Sequence, residues 1–149
     1  MHLGSIYLIV KDFDRTIQFY EQLLQIPVTR RNMDRFAQFL FEQQNISIMN
    51  GCFDSEHPDK VIRKGSYDKE FDDIGAIAEK ANTRKFVFNF WTEDLRKEQQ
   101  RIVAAGISSK VTPIKYINAG QPYYYFQLLD PEDNVIEVTG AYHPEADEF

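Results

Sequence analysis

Seven side chains that could bind or react with an organic molecule stand at alternate positions of strand-like segments. Successive side chains of a strand point to opposite faces of a sheet, so residues two apart share one face. We predict that the seven line a binding cleft, because their polar and aromatic groups would then point the same way. The candidate binding residues are Ser5, Tyr7, Asn89, Trp91, Tyr125, Gln127 and Glu137.

Glu137 is the one carboxylate among these candidates, and the only residue to which we assign a catalytic role. In the cleft it could act as a general base or as a polar anchor for a ligand. The alternative is a structural carboxylate that accepts hydrogen bonds from Tyr125 or Asn89. The sequence leaves both interpretations open.

Four aromatic side chains belong to the predicted lining, namely Tyr7, Trp91, Tyr123 and Tyr125. Aromatic walls with a few polar groups suit a flat or cationic organic ligand. The inward-facing amides of Asn89 and Gln127 favour ligand binding, because buried amides need hydrogen-bonding partners. Packing in an ordinary core is the alternative for the same aromatic residues.

The segments that carry these residues form two similar halves. In the first, a strand at 6–10 precedes a helix that follows the N-capping residue Asp12 and shows apolar residues at spacings of three and four. In the second, a strand near 85–91 precedes a helix that starts after Asp94 and ends before Gly106. Three further strands follow each helix, at 28–31, 36–41 and 45–49, and near 110–114, 123–129 and 134–139.

This repeated order predicts an α+β fold with two tandem βαβββ modules that form a curved antiparallel sheet around a cleft. Residues 45–51 and 134–140 both begin with Asn and end with Gly, which supports an internal repeat. On the faces covered by the helices we expect Ile6, Leu8, Val10, Phe86, Phe88, Phe90, Phe126 and Leu128. Within one domain of residues 1–149 we place module 1 at about 3–51, an insert at 52–84, module 2 at about 85–140 and a loose tail at 141–149.

The insert is polar, and we expect a solvated loop with one short helix near 71–81 that Asp72 or Asp73 caps. Its potential metal ligands stand at spacings that match no known metal site. These residues are Cys52, Asp54, Glu56 and His57.

Two stretches of the chain resemble the signature ends of the vicinal oxygen chelate superfamily. They run from Ile6 through Asp12 to Tyr20, and from Phe126 through the turn Asp130-Pro131-Glu132-Asp133-Asn134 to Glu137. The superfamily includes glyoxalase I, extradiol dioxygenases, fosfomycin-modifying enzymes and bleomycin-resistance proteins. The resemblance covers nearly the whole chain apart from the insert, and it implies the fold described above.

The resemblance also implies where a divalent metal would sit. The metal ligands of family enzymes match Ser5, Ile48, Val87 and Glu137, of which only Glu137 is a usual ligand. Stable sites supply at least three protein ligands, and hydrocarbon side chains have no lone pairs to donate. We therefore expect no metal at the usual family position and no other cofactor.

These observations favour a glyoxalase- or bleomycin-resistance-like protein with a degenerate metal site, which binds a small organic molecule in an aromatic cleft. The alternative is a glyoxalase-like lyase or related enzyme that uses Glu137 with a metal held by atypical ligands. An interaction module with a vestigial cleft is a third interpretation. The resemblance further implies a homodimer.

Composition narrows the partners and the compartment. The chain has 149 residues, of which 43% are hydrophobic, so it can bury a core. Its net charge of −6 disfavours nucleic acid, and it has no apolar run as long as a membrane span, which needs about 18 residues. A single cysteine and the lack of a signal peptide predict a cytoplasmic protein.

Overall fold

A computed structural model describes residues 4–118 and 122–145 of the chain. The last four residues of the predicted loose tail lie outside the described residues, as do the first three residues of the chain. The chain divides into two compact units, Met1–Ala81 and Asn82–Phe149. Each unit contains one four-stranded sheet.

The first unit follows the predicted order and adds short helices after the last strand. Its strands lie in the order β1-β4-β3-β2. The elements are β1 (Ile6–Val10), α1 (Phe13–Leu24), β2 (Arg30–Asn32), β3 (Phe36–Phe41), β4 (Gln44–Asn50), α2 (Phe53–Glu56), a 3₁₀ turn (Pro58–Lys60), α3 (Lys69–Asp72) and α4 (Ile74–Ala78).

The second unit repeats the same order of elements, with its strands arranged β5-β8-β7-β6. The elements are β5 (Val87–Thr92), α5 (Leu95–Ala105), β6 (Lys115–Asn118), β7 (Pro122–Leu129) and β8 (Val135–Gly140). The α+β class and the two tandem βαβββ modules are thus confirmed.

Each sheet is mixed, whereas the sequence analysis expected antiparallel pairing throughout. The last strand of each module lies between the first and third strands, and it runs parallel to the first. Every other pairing between the strands is antiparallel. The helix between the first two strands supplies the crossover that a parallel pair of strands requires.

Both long helices begin where the sequence predicts, and α5 also ends at the predicted position. The side chain of Asp12 accepts a hydrogen bond of 3.1 Å from the amide of Arg15, and Asp94 accepts one of 3.0 Å from the amide of Lys97. These caps satisfy amide groups that have no partner inside the helix. At the end of α5, Gly106 adopts a φ of 61°, a left-handed conformation that glycine adopts readily.

The helix-covered face of each sheet forms the core. In the first unit, the ring centroid of Tyr20 on α1 lies 6.3 Å from that of Phe39 on β3. The core strand residues there are Val10, Ala37, Phe39, Ile46 and Ile48, each at most 5% exposed. The corresponding residues of the second unit are Phe88, Phe126, Leu128, Ile136 and Val138, each at most 8% exposed.

Two predictions for the second unit were wrong. The strand expected near 110–114 is reduced to one isolated bridge at Val111, and β6 starts only at Lys115. Pro113 interrupts this segment because it has no amide hydrogen to donate to a ladder. Phe86, which we expected under the helix, precedes β5 and is 52% exposed.

The insert is more ordered than a solvated loop. Two short helices stand where one was expected, and their N-caps are Asp68 and Asp73. Helix α4 packs closely on the end of β4. Only glycine fits at Gly51, since a Cβ atom there would lie 2.5 Å from the Cβ of Ala78. Within the described residues, no helix is both long enough and apolar enough to cross a membrane.

Candidate functional site

The open face of the second sheet, opposite α5, carries a hydrogen-bonded cluster around Glu137. Glu137 on β8 lies in register between Asn89 on β5 and Gln127 on β7. Its Oε1 accepts hydrogen bonds from Asn89 Nδ2 at 2.9 Å and from the Tyr123 hydroxyl at 2.9 Å. Its Oε2 accepts a longer bond of 3.3 Å from Gln127 Nε2. We call Glu137, Asn89, Tyr123 and Gln127 the Glu137 cluster.

Gln127 connects this cluster to a lysine. Its Oε1 accepts a hydrogen bond of 3.1 Å from Lys115 Nζ, while its Nε2 donates to Glu137. The carboxylate of Glu137 only accepts hydrogen bonds and the ammonium of Lys115 only donates them, so the orientation of the Gln127 amide is fixed. Lys115 Nζ also lies 5.7 Å from the ring centroid of Tyr125, a cation–π distance.

Tyr123 is held as a neutral phenol. Burial raises the pKa of this phenol above 10.0, hydrogen bonding to Thr139 opposes that rise, and the adjacent Glu137 carboxylate adds to it. The protonated hydroxyl is therefore the stable form at neutral pH, and it is the form that can donate to Glu137.

The Glu137 carboxylate keeps the capacity to contact a ligand. A carboxylate offers about four acceptor positions, and the cluster supplies three donors. Glu137 is only partly buried, so the remaining position on Oε2 can accept a hydrogen bond from a bound molecule. The same oxygen could take a proton from a bound acid.

The two aromatic candidates of the second unit lie on the same open face. Trp91 and Tyr125 are both in register with Thr139, two residues from Glu137 along β8. Trp91 is 67% exposed, and the Tyr125 ring centroid lies 5.5 Å from that of Tyr123. Five of the seven candidate residues therefore share this face, and three of them belong to the Glu137 cluster.

The other two candidates, Ser5 and Tyr7, belong to the first unit. Ser5 Oγ lies 2.8 Å from Ser47 Oγ and donates to Asn45 Oδ1 at 2.8 Å. Gln38 Nε2 donates to the same Ser47 hydroxyl at 3.2 Å. Tyr7 is 51% exposed.

The sequence analysis assigned the fourth-strand ligand position to Ile48, and this assignment was wrong. Ile48 is fully buried on the side of the sheet that α1 covers. Ser47 pairs with Tyr7 as Glu137 pairs with Asn89, so Ser47 is the structural equivalent of Glu137. The match between 45–51 and 134–140 was one residue out of register, and such a slip moves a side chain to the opposite face.

The donors on these strands do not fit a divalent metal ion. Among the residues that the structure describes, no group of three or more His, Cys, Asp or Glu side chains could hold one. Val87 presents a hydrocarbon side chain beside Val135. Ser5 and Ser47 offer neutral hydroxyl groups, which are weak ligands for such ions.

Lys115 is a residue of this site that the sequence analysis missed. The strand was placed too early in the chain, so Lys115 fell outside it. A strand that included residues 115–117 would have placed Lys115 and Ile117 on one face, because residues two apart in a strand share a face. In the structure, both are in register with tyrosines of the open face.

Comparisons with known proteins support the fold. The model of the Glyoxalase/Bleomycin resistance protein/Dioxygenase superfamily matches residues 2–138. No curated protein matches the chain significantly.

Solved structures are similar over nearly the full length of the chain at low identity. A lactoylglutathione lyase from Agrobacterium tumefaciens is 16% identical, with a TM-score of 0.58 and coverage of 94% of this chain and 93% of that one. A glyoxalase-related enzyme from Fulvimarina pelagi is 12% identical, with a TM-score of 0.58 and coverage of 98% and 94%. A fosfomycin resistance protein from Mesorhizobium loti is 15% identical, with a TM-score of 0.55 and coverage of 95% and 92%.

Proposed function

Because the chain belongs to the glyoxalase/bleomycin resistance protein/dioxygenase superfamily, we propose that it binds a small organic molecule on the open face of its second unit. The ligand would contact the Glu137 cluster and the aromatic side chains beside it. In this proposal the metal position used by family enzymes is degenerate, and the protein functions without a divalent ion there. A shared fold alone does not determine function, so the proposal depends on the site.

The observation that carries the proposal is the set of partners around Glu137. Two amides and one phenol hold the carboxylate, and such groups fix its direction without requiring a cation. An exposed indole and a tyrosine ring flank the cluster, as expected for a site that contacts a planar organic group. Polar groups fixed among aromatic surfaces are typical of small-molecule sites.

Trp91 provides the test, because it is the one tryptophan of the chain and lies on the proposed binding face. We expect its fluorescence to change saturably with some members of a panel of neutral, anionic and cationic aromatic compounds. Glu137→Gln removes the charge of the side chain but keeps its shape. We expect this variant to bind the tightest-binding compound of the panel about tenfold more weakly, because one charge-assisted hydrogen bond is lost.

Glu93→Gln is the matched control, since it removes an exposed carboxylate just before α5. This variant should bind like the wild type. A complete lack of response across the panel, or equal binding by Glu137→Gln, would contradict the proposal.

The second candidate is a glyoxalase-like lyase. Similarity to a lactoylglutathione lyase and the contact of 2.9 Å between the Tyr123 hydroxyl and Glu137 favour it. Glu137 would take a proton from a carbon acid next to a carbonyl, and a metal held by atypical ligands would polarise that carbonyl.

Metal analysis separates the two candidates. We expect the purified protein to contain no stoichiometric metal and to gain no thermal stability from nickel, manganese, zinc or iron. One metal ion per chain that is lost in Glu137→Gln would favour the lyase and reject the first proposal.

Within the first proposal, we also place the protein in a reducing, cytoplasmic compartment with no nucleic-acid or membrane partner, as its single cysteine and net charge of −6 suggest.

A further inference from the structure

Three basic residues converge on a pocket of the second unit that adjoins the Glu137 cluster. The pocket has a volume of about 200 Å³. Arg84, Lys110 and Lys115 line it together with Thr112, Gln127 and aliphatic side chains of β7 and β8. Drug-sized ligands usually occupy roughly 300–1,000 Å³, so this pocket suits one group of a ligand rather than a whole molecule.

The charge of this pocket opposes that of the chain. The protein has 23 acidic and 17 basic residues, yet no carboxylate is among the described residues that line the pocket. Throughout residues 4–118 and 122–145, the ion pairs of the structure involve other basic residues, not these three. Three cations that line one pocket make its local potential positive, which favours an anion there.

The hydrogen bonds of the pocket leave donors for such an anion. Lys115 carries three N–H groups, and one of them goes to Gln127 Oε1 at 3.1 Å. The Thr112 hydroxyl is already engaged, since it donates to the carbonyl of Pro113 and accepts from the amide of Gln127. The charged side chains, rather than Thr112, are therefore the groups available for binding.

Gln127 joins the pocket to the Glu137 cluster. The same side chain accepts from Lys115 and donates to Glu137 Oε2 at 3.3 Å. A ligand with a negative group among the cations can therefore extend its uncharged part past Gln127 toward Glu137 and the aromatic face. The intervening amide keeps that negative group apart from the carboxylate.

We propose that Arg84, Lys110 and Lys115 form a subsite for an anionic group, a carboxylate or a phosphate, of the small molecule that this face binds. The inference rests on the proposed function and narrows its ligand class from organic molecules in general to organic anions. Guanidinium and ammonium groups bind both carboxylates and phosphates through charge-assisted hydrogen bonds.

Two kinds of probe test the subsite. The first is inorganic phosphate, titrated into ¹⁵N-labelled protein while the backbone amides of Lys110, Lys115 and Gln127 are followed by NMR. The second is a set of three compounds that share one ring, namely phenyl phosphate, benzoate and neutral benzamide, with binding read from Trp91 fluorescence and from the same amides. We expect saturable shifts with phosphate, and binding of at least one ring anion about tenfold tighter than that of benzamide.

The double variant Arg84→Gln/Lys110→Gln removes two of the cations from the pocket. We expect it to abolish the phosphate shifts and to bring the ring anions within about twofold of benzamide. Lys60→Gln/Lys97→Gln is the matched control, because it removes the same net charge from exposed positions that do not line the pocket. This control should bind all probes like the wild type.

The outcomes separate the subsite from the proposed function. If benzamide and the ring anions bind equally and both double variants behave alike, the face binds small molecules but the anion subsite is rejected. If phosphate shifts the pocket amides but no ring compound binds, the subsite holds and the proposed function fails. Preference for phenyl phosphate over benzoate, or the reverse, identifies which anion the subsite favours.

Discussion

Individual side chains of the open face act through their protonation and their hydrogen-bonding direction. Tyr123 must remain protonated to donate to Glu137, and Gln127 must present its carbonyl oxygen to Lys115 and its NH₂ group to Glu137. Each requirement follows from the charge of the neighbour. The carboxylate is therefore oriented before any ligand arrives, which lowers the entropic cost of binding.

The raised pKa of Tyr123 predicts how stability depends on pH. Burial favours the neutral phenol in the folded protein, so the folded-state pKa exceeds the value near 10 of an unfolded chain. Its contribution to stability is fully present below pH 10 and is lost as the pH rises through the higher, folded-state value. We expect Tyr123→Phe to lose stability less steeply than the wild type above pH 10.

Urea denaturation between pH 8 and 11 measures this difference. Tyr67→Phe is the matched control, because it removes the hydroxyl of an exposed tyrosine in the other unit. It should follow the wild-type curve. An identical pH dependence of the wild type and Tyr123→Phe would show that Tyr123 is not protonated preferentially in the folded state.

At the scale of elements, one largely buried carboxylate of the insert binds an arginine just before β3 of the first unit. The side chain of Asp54 on α2 is 11% exposed and binds Arg35 through both oxygens, at 2.7 and 3.1 Å. Its Oδ2 also accepts from Arg63 at 2.6 Å. Hydrogen bonding to Asp54 raises the pKa of the Arg35 guanidinium, which favours its charged form.

Removing this carboxylate should loosen the insert while leaving the sheet intact. We expect Asp54→Asn to lower the free energy of local opening by about 1–2 kcal/mol, because charge-assisted contacts to two arginines are lost. The effect stays this small because both arginines are partly exposed to solvent. Limited trypsin digestion measures this local opening of the insert. The rate of cleavage after Arg63 and Lys64 should rise about tenfold in Asp54→Asn.

Asp59→Asn, in the exposed 3₁₀ turn, provides the comparison and should be cleaved at the wild-type rate. Equal cleavage of all three proteins would mean that the contacts of Asp54 do not hold the insert in place.

For the whole molecule, the family resemblance favours a homodimer, which we propose. Each unit exposes large apolar side chains that a second chain would cover, including Tyr7 of the first unit and Ile117 of the second.

Light scattering after size exclusion tests the homodimer. We expect a mass of about 35 kDa, twice the 17.5 kDa of one chain. The mass should remain the same when the protein concentration is lowered a hundredfold. A mass of one chain at every concentration would contradict the homodimer without affecting the predictions for Tyr123 or Asp54.

The sequence by itself determined the order of elements and most of the faces. Alternation of apolar residues fixed which side of each sheet is buried, and the capping residues Asp12 and Asp94 fixed where the long helices begin. These signals are local, since they depend on the chain geometry of a few consecutive residues. For the same reason, the alternation along each strand was sufficient to assign Asn89, Gln127 and Glu137 to one face.

Only the tertiary structure decided which strands pair, in which register they pair, and which distant residues line one pocket. The register of β4 against β1 places Ser47, not Ile48, on the open face, and the parallel pairing of these strands has no local signal. The convergence of Arg84, Lys110 and Lys115 on one pocket also depends on strands and loops distant in the chain. Such contacts arise because packing and hydrogen bonding are satisfied by the whole sheet at once, and no short segment encodes them.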